Sequence, residues 1–218
     1  MATYNPFKVD IPLQTLIRLP SYLSTVDNKL QMGEKHISSS ELGAFVNLNN
    51  VKVRQDLSYI GVSGKPRTGY NLNEIKDAIT HILGYDEPRF AILVGNGPFN
   101  QIFLKHNILE CLHLNVDAIF IDGLSLDEAK ELEEKHDARF YNLKELRWYC
   151  ASQSVDLAIL DTEKDFKKYT DLILDSGIKA IWNFTGQSLV VPEDVFVQVS
   201  GLRESLGLLW YKLNNANF

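Results

Sequence analysis

The chain has 218 residues, 45% hydrophobic and 23% charged, with a formal net charge of −6. That is the composition of an ordinary globular protein, one large domain or two small ones with a buried core. No apolar run approaches the roughly 20 residues that span a bilayer, and the polar start MATYNPFKVD does not resemble a signal peptide, so no membrane partner and a cytoplasmic location are expected.

The charge is unevenly spread. Residues 1–85 carry nine Lys and Arg against seven Asp and Glu, a net +2, whereas residues 86–218 carry 13 against 21, a net −8. An excess of +2 cannot by itself argue for nucleic acid; the placement of the cations has to do so. In PLQTLIRLPSYLSTVDNKL, Leu13, Leu16, Leu19 or Pro20, Leu23, Val26 and Leu30 recur at helical spacing and predict an amphipathic helix. HISSSELGAFV follows, where Ser38 and Glu41 stand in the S-x-x-E relation that predicts reciprocal capping of a short helix. NNVKVRQDLSYIG predicts a second helix after a tight polar turn, with Val53, Leu57 and Ile60 on one side and Lys52, Gln55 and Ser58 or Tyr59 displayed elsewhere. Two short helices so joined form a helix-turn-helix.

GVSGKPRTGYNL then packs three glycines, a proline and two cations into a hairpin-like segment, before NEIKDAITHIL resumes helical periodicity. This reads as a β wing. In that arrangement Lys52, Arg54, Lys65 and Arg67 gather on one surface, facing phosphates or the minor groove. Gln55, Ser58 and Tyr59 are candidates for contacts at or near base edges, and Ser39 completes the expected DNA-binding set. The first domain is expected to span residues 1–85 and the second 86–218.

After residue 86 short apolar runs alternate with helix-like segments. Ala91–Val94, Ala118–Ile121, Leu157–Leu160 and Ala180–Trp182 read as strands, and SLDEAKELEEKH places Ser125 and Glu128 in capping-box relation. The pattern predicts a parallel sheet with crossover helices, whose ligand site lies at the carboxyl ends of its strands. After the first strand stands the loop Gly95, Asn96, Gly97, Pro98, Phe99 and Asn100. Its two glycines permit a tight turn and a close backbone approach, as in loops that cradle a dinucleotide pyrophosphate. Asn100 puts a side chain where a third glycine is usual, and Pro98 removes one N–H donor, which is worth about 10- to 100-fold in affinity. Asp122 closes the second strand, either as the acidic residue that takes ribose hydroxyls or as a turn aspartate. Asp161 and Thr162 after the next strand, and Asn183 after the last, complete the candidate cofactor site.

ISSSELGAFV, VKVRQDLSYIGVSGKPRTGYNL and GIKAIWNFT…VPEDVFV resemble, in order and spacing, the Rex family of redox-sensing transcriptional repressors, over nearly the whole chain. The most specific part is Val53–Gly61 with Thr68–Tyr70. The resemblance implies a homodimer with an N-terminal winged helix-turn-helix domain and a C-terminal Rossmann-like parallel-sheet domain. It implies further that NADH, competing with NAD, releases a double-stranded DNA operator. It also implies that the last helix, LRESLGLLWYKL, with Leu202, Leu206, Leu209 and Leu213 in near-regular series, is exchanged between subunits. Two departures stand out: Asp161 and Glu163 replace a small, apolar, proline-containing loop, and Gly201 stands where many members have an aspartate linked to the NADH-driven switch.

Cys111 and Cys150 lack CxxC spacing and the five histidines lack HxxxH, so the cysteines are read as apolar filler and no metal site is expected. No Ser/His/Asp or Tyr-x-x-x-Lys constellation stands out, and only 133 residues follow residue 85, barely one nucleotide-binding domain. No catalytic residue is expected. A small nucleotide-binding enzyme is the alternative of another class, and a Rex-like regulator that has lost NADH sensing or answers another ligand is the alternative within the family.

Overall fold

A computed structural model describes residues 11–106, 114–136 and 138–215; Cys111 lies outside them. The chain divides into two compact units, Met1–Glu87 and Pro88–Phe218.

The first unit holds α1 (Leu13–Gln31), α2 (Ser39–Val46), α3 (Asn50–Tyr59) and α4 (Leu72–Leu83), with a two-stranded antiparallel sheet of β1 (His36–Ile37) and β2 (Tyr70–Asn71). Polar side chains start three of the helices: Ser38 Oγ accepts from the Glu41 amide, Asn49 Oδ1 from that of Lys52, and Asn71 Oδ1 from those of Asn73 and Glu74. The predicted reciprocity at Ser38 is only half realised. The Glu41 carboxylate turns to Lys29 Nζ, 2.6 Å away, and ties α2 to α1 instead of returning to the cap.

Most of the predicted stripe of α1 is core, with Leu16, Leu23 and Leu30 packed partly buried against it, but its inner face also carries polar residues. Thr15, Leu19, Tyr22 and Val26 are buried, while Leu13 is exposed. Hydroxyls lie on the inner face because they serve a carboxylate there. Asp56 of α3 is fully buried and accepts from Thr15 Oγ1 (2.9 Å), Tyr22 Oη (2.8 Å), and Arg18 Nε and Nη2 (2.7 Å each). Burial alone would raise its pKa, but the bonds from Arg18, Tyr22 and Thr15 outweigh this and hold it below the usual carboxylate range. The same contact, with burial leading, pushes the Tyr22 phenol well up. Around this anchor Leu19, Val26, Leu42, Val53, Leu57, Ile75 and Ile79 form the apolar core.

In the second unit six parallel strands run in the order β5-β4-β3-β6-β7-β8: β3 (Arg89–Val94), β4 (Leu114–Ile121), β5 (Arg139–Asn142), β6 (Leu157–Leu160), β7 (Ala180–Asn183) and β8 (Phe196–Val199). Between them lie α5 (Pro98–His106), α6 (Leu126–Lys135), α7 (Leu146–Ser152) and α8 (Phe166–Asp175), and α9 (Leu202–Asn215) follows β8. Numbered from its first strand the order is 3-2-1-4-5-6, a doubly wound sheet with its topological switch between β3 and β6. Separate apolar clusters cover the two faces. One gathers Val94, Phe120, Leu146, Ile173 and Ile181, and the other Leu93, Ile119, Phe140 and Ile159.

The four apolar runs read as strands are strands, and the predicted capping box of α6 forms with both of its bonds. Strands β5 and β8 lie outside that reading. They are the sheet's edges, carry polar or exposed residues, and so lack an apolar run. Cys150 packs partly buried beside the first cluster, and burial raises its thiol pKa.

Replacing Asp56 strands two hydroxyls and a guanidinium. Asp56→Ala should lose about 3–5 kcal/mol of stability in urea unfolding at neutral pH. Because the folded-state pKa is depressed, the stabilisation is complete above the unfolded pKa and is lost as pH falls through the folded one, so wild type and variant should converge in acid.

Candidate functional site

The α2–α3 turn depends on close packing. A Cβ on Gly43 would overlap the Leu48 carbonyl oxygen, and Asn47 makes the turn at φ 55°. Beyond it α3 buries Val53, Asp56 and Leu57 and leaves Arg54, Gln55 and Ser58 exposed. Gln55 Nε2 lies 3.3 Å from Tyr59 Oη, which joins two of the three expected base-contacting residues along one face. Lys52 is half-buried; its ammonium bonds Gln55 Oε1 (3.1 Å) and stands 3.8 Å from Asp56. Ser39 departs from expectation. It is only 5% exposed and its hydroxyl accepts from Arg54 Nε at 3.0 Å, so it braces Arg54 instead of presenting itself.

The wing is short. Lys65 and Gly69 exchange two backbone hydrogen bonds of 2.8 and 2.9 Å around a tight turn with Arg67 at φ 65°, while the ladder itself pairs β2 with β1. Lys65 and Arg67 are both exposed at this tip. Among the described residues no carboxylate pairs with Arg54, Lys65 or Arg67, so their charges face solvent uncompensated.

At the switch point of the sheet, the loop after β3 meets the loop after β6. The carboxyl group of Asp161 lies at the N-terminus of α5, where it accepts from the Asn100 amide (3.0 Å) and the Phe99 amide helps to stabilise its charge. Two further donors of the glycine loop are also engaged: Gly95 N–H with Phe120 O (2.8 Å) and Gly97 N–H with Asp161 O (2.9 Å). Pro98 has no N–H to offer. A Cβ on Gly97 would overlap the Asp161 carboxyl group, so the glycine here admits an aspartate of the same chain. Asp161 is 3% exposed; burial raises its pKa, the Asn100 and Phe99 amides oppose this, and Glu163 adds repulsion.

Asn100, 2% exposed, seals the loop from behind. Its Nδ2 donates to Gly95 O (3.0 Å) and Val94 O (3.4 Å), and its Oδ1 has no partner among the described residues. Beside the loop a cavity of about 710 Å³ is lined by Asn96, Asp122, Leu124, Glu128, Leu132 and Phe140, among others. Asp122 is thus at a ligand-sized space, but one oxygen is bound by Lys168 Nζ at 2.5 Å. Glu128 holds its carboxylate on Ser125, and that bonding lowers its pKa.

Two expected ligand residues are occupied locally. Thr162 bonds its own turn through the Lys164 carbonyl (2.8 Å). Asn183 is fully buried; it donates to Gln187 O (2.7 Å) and accepts from the Thr185 amide (2.9 Å) and hydroxyl (2.7 Å). Phe99 packs on Phe184 with centroids 4.9 Å apart, and Phe103 lies 5.4 Å from Phe184 and 6.1 Å from Trp182. Trp182 Nε1 donates to Ser200 Oγ at 2.7 Å, which links α5 through β7 to the residues before α9. The roles of Asp56 and Lys168 are not evident from sequence. Asp56 stands inside the quoted VKVRQDLSYIG motif, whereas Lys168, 46 residues from its partner, carries no local signal.

A helix-turn-helix with a cationic wing beside a doubly wound domain of nucleotide-binding topology defines the class of ligand-responsive DNA-binding regulators. Known proteins agree with this. A family profile described as "Putative DNA-binding protein N-terminus" matches residues 10–58. The redox-sensing transcriptional repressor Rex of Caldanaerobacter subterraneus subsp. tengcongensis is 32% identical over 95% of this chain and 91% of its own length. That of Clostridium botulinum is 32% identical over 94% and 96%. The chain belongs to the Rex family of redox-sensing transcriptional repressors. Among solved structures, RSP in complex with β-NAD+ and operator DNA is similar at a TM-score of 0.80 and 30% identity, over 95% of this chain and 94% of that one. RSP in complex with β-NADH is similar at 0.77 and 29%, over 95% and 96%.

A dinucleotide laid across this sheet in the usual way would set its pyrophosphate on the α5 N-terminus. There it meets the Asp161 carboxylate on the same donors. The cavity beside the loop suits a nucleoside, but the residues at the phosphate position do not fit a pyrophosphate as they stand.

The crowding of Gly97 against Asp161 is directly measurable. Gly97→Ala should cost about 1–3 kcal/mol in urea unfolding by overpacking, and much less in an Asp161→Gly background; a double-mutant cycle reads the coupling.

Proposed function

We propose that the chain is a DNA-binding transcriptional repressor, acting in the cytoplasm as a homodimer on an operator in double-stranded DNA. Residues 1–85 hold the DNA and residues 86–218 dimerise and receive the effector. The observation that carries this reading is the outward face of α3, Arg54, Gln55 and Ser58, displayed without a competing carboxylate among the described residues while Asp56 holds the helix from behind. A helix so presented enters the major groove, with Gln55, Ser58 and Tyr59 toward base edges. Arg54, oriented by Ser39, and Lys52 meet phosphates at its side. Lys65 and Arg67 at the wing tip reach the flanking backbone or minor groove.

The relatives' complexes with NAD+ and NADH support nicotinamide dinucleotides as the effectors that modulate operator binding. No catalytic role is assigned to any residue. The occupied α5 N-terminus favours a second reading in the same family, a repressor that answers another ligand or has lost dinucleotide sensing.

Dimerisation is read from α9. Leu206, Leu208, Leu209, Trp210, Tyr211 and Leu213 are all exposed, an apolar surface that a second copy would bury by exchanging this helix. The side chain of Leu202, first of the predicted series, lies outside those described.

In band-shift titrations Arg54→Ala and Lys65→Ala should each weaken operator binding. Each should also flatten the slope of log affinity against log salt by about 0.9 for every phosphate the variant no longer neutralises. Unchanged affinity and slope would refute the interface. Sedimentation at micromolar concentration should show a dimer, and Leu209→Glu should yield folded monomer; a monomeric wild type would refute helix exchange.

A further inference from the structure

Two features of the cleft are unexplained by nucleotide binding as usually arranged: an aspartate on the amides that would hold phosphate, and a buried asparagine in place of the third glycine. Both have one explanation. We propose that Asp161 is a built-in phosphate surrogate, which fills the anion position of the cleft and makes the second unit select nucleosides over their phosphorylated forms. The proposal rests on the reading of this unit as the effector-binding unit and specifies what it accepts.

The donor inventory is the first support. A helix N-terminus attracts an anion because its first amides lack partners. Here the Asn100 amide is bonded to the Asp161 carboxyl group, the Phe99 amide helps to stabilise the same charge, Pro98 has no amide hydrogen, and Gly97 donates to the Asp161 carbonyl. An incoming phosphate would find these donors spent and a like charge in van der Waals contact.

Space gives the second support. The volume next to Gly97, which in a phosphate loop lets the ligand approach the backbone, is filled by the carboxyl group itself. Asn100 then closes the rear of the loop through the Gly95 and Val94 carbonyls. The cavity alongside is the third. Its described lining includes Asp122, Glu128, Glu131 and His136 but neither Lys nor Arg, while Ile121, Leu124, Leu132 and Phe140 offer apolar walls for a base. Asp122, with one oxygen on Lys168, keeps its other oxygen for sugar hydroxyls. Such a site takes a ribonucleoside, and a dinucleotide binds it through its nucleoside ends without help from its phosphates.

Calorimetry on the full-length protein with adenosine, ADP, NADH and inorganic pyrophosphate tests this in wild type, Asp161→Gly and Asp161→Asn. Wild type should bind ADP no more tightly than adenosine and show no pyrophosphate binding. Asp161→Gly should bind ADP and NADH at least roughly tenfold more tightly than wild type, with adenosine unchanged, because the Asn100 amide becomes available for a charge-assisted bond and the like charge is gone. Asp161→Asn, which keeps the shape and removes the charge, should fall between and decides the matter if the glycine variant does not fold. The proposal is overturned if wild type binds ADP or NADH tenfold or more tightly than adenosine, if the variants gain nothing for phosphorylated probes, or if no probe binds any of the three proteins. A band shift with selected operator DNA, run without nucleotide, keeps the repressor reading separate: loss of DNA binding would refute that reading and leave the ligand ranking intact.

Discussion

A carboxylate removed from water must be met by donors, and in each unit of this protein one buried aspartate organises its surroundings through that requirement. Asp56 gathers a guanidinium and two hydroxyls from α1, and the favourable bonds prevail over burial. Asp161 has only backbone amides and a nearby Glu163, and burial prevails. The first arrangement locks α3 to α1. The second locks the start of α5 to the end of β6, across the switch point of the sheet.

For the first unit this lock separates stability from recognition. One side of α3 is spent on Asp56, Val53 and Leu57, so the opposite side is free to carry polar side chains at no cost to the core. Ser39 belongs to the supporting side although it lies close to the displayed residues. By accepting from Arg54 Nε it restricts a long side chain that would otherwise lose rotamer entropy on meeting a phosphate. Lys52 is similarly held between Gln55 and Asp56.

In the second unit the fold is that of a dinucleotide-binding domain while the Gly95, Gly97 and Asn100 amides of its phosphate-type loop are committed within the chain. Topology places the α5 N-terminus at the mouth of the sheet; what that terminus holds depends on a single side chain arriving from the neighbouring strand. Aromatic contacts from Phe99 and Phe103 through Phe184 and Trp182 to Ser200 give α5 a continuous packed route toward α9. That route does not use the position now held by Gly201.

Helices, the serine starts of α2 and α6 and the alternation of strand and helix were legible in the amino-acid sequence, because 3.6-residue periodicity, the S-x-x-E spacing and short apolar runs are local signals. The helix-turn-helix and the glycine loop were legible for the same reason. The edge strands β5 and β8 were not, since solvent on one side lets them carry polar residues. Neither was the burial of Ser39, nor the hydroxyl-bearing inner face of α1, which depend on partners 15 to 41 residues away. The chain by itself determined that a phosphate-type loop is present and which of its positions are altered. Only the tertiary structure decided what fills that loop, because Asp161 and Asn100 lie 61 residues apart and meet solely where β3 and β6 run side by side.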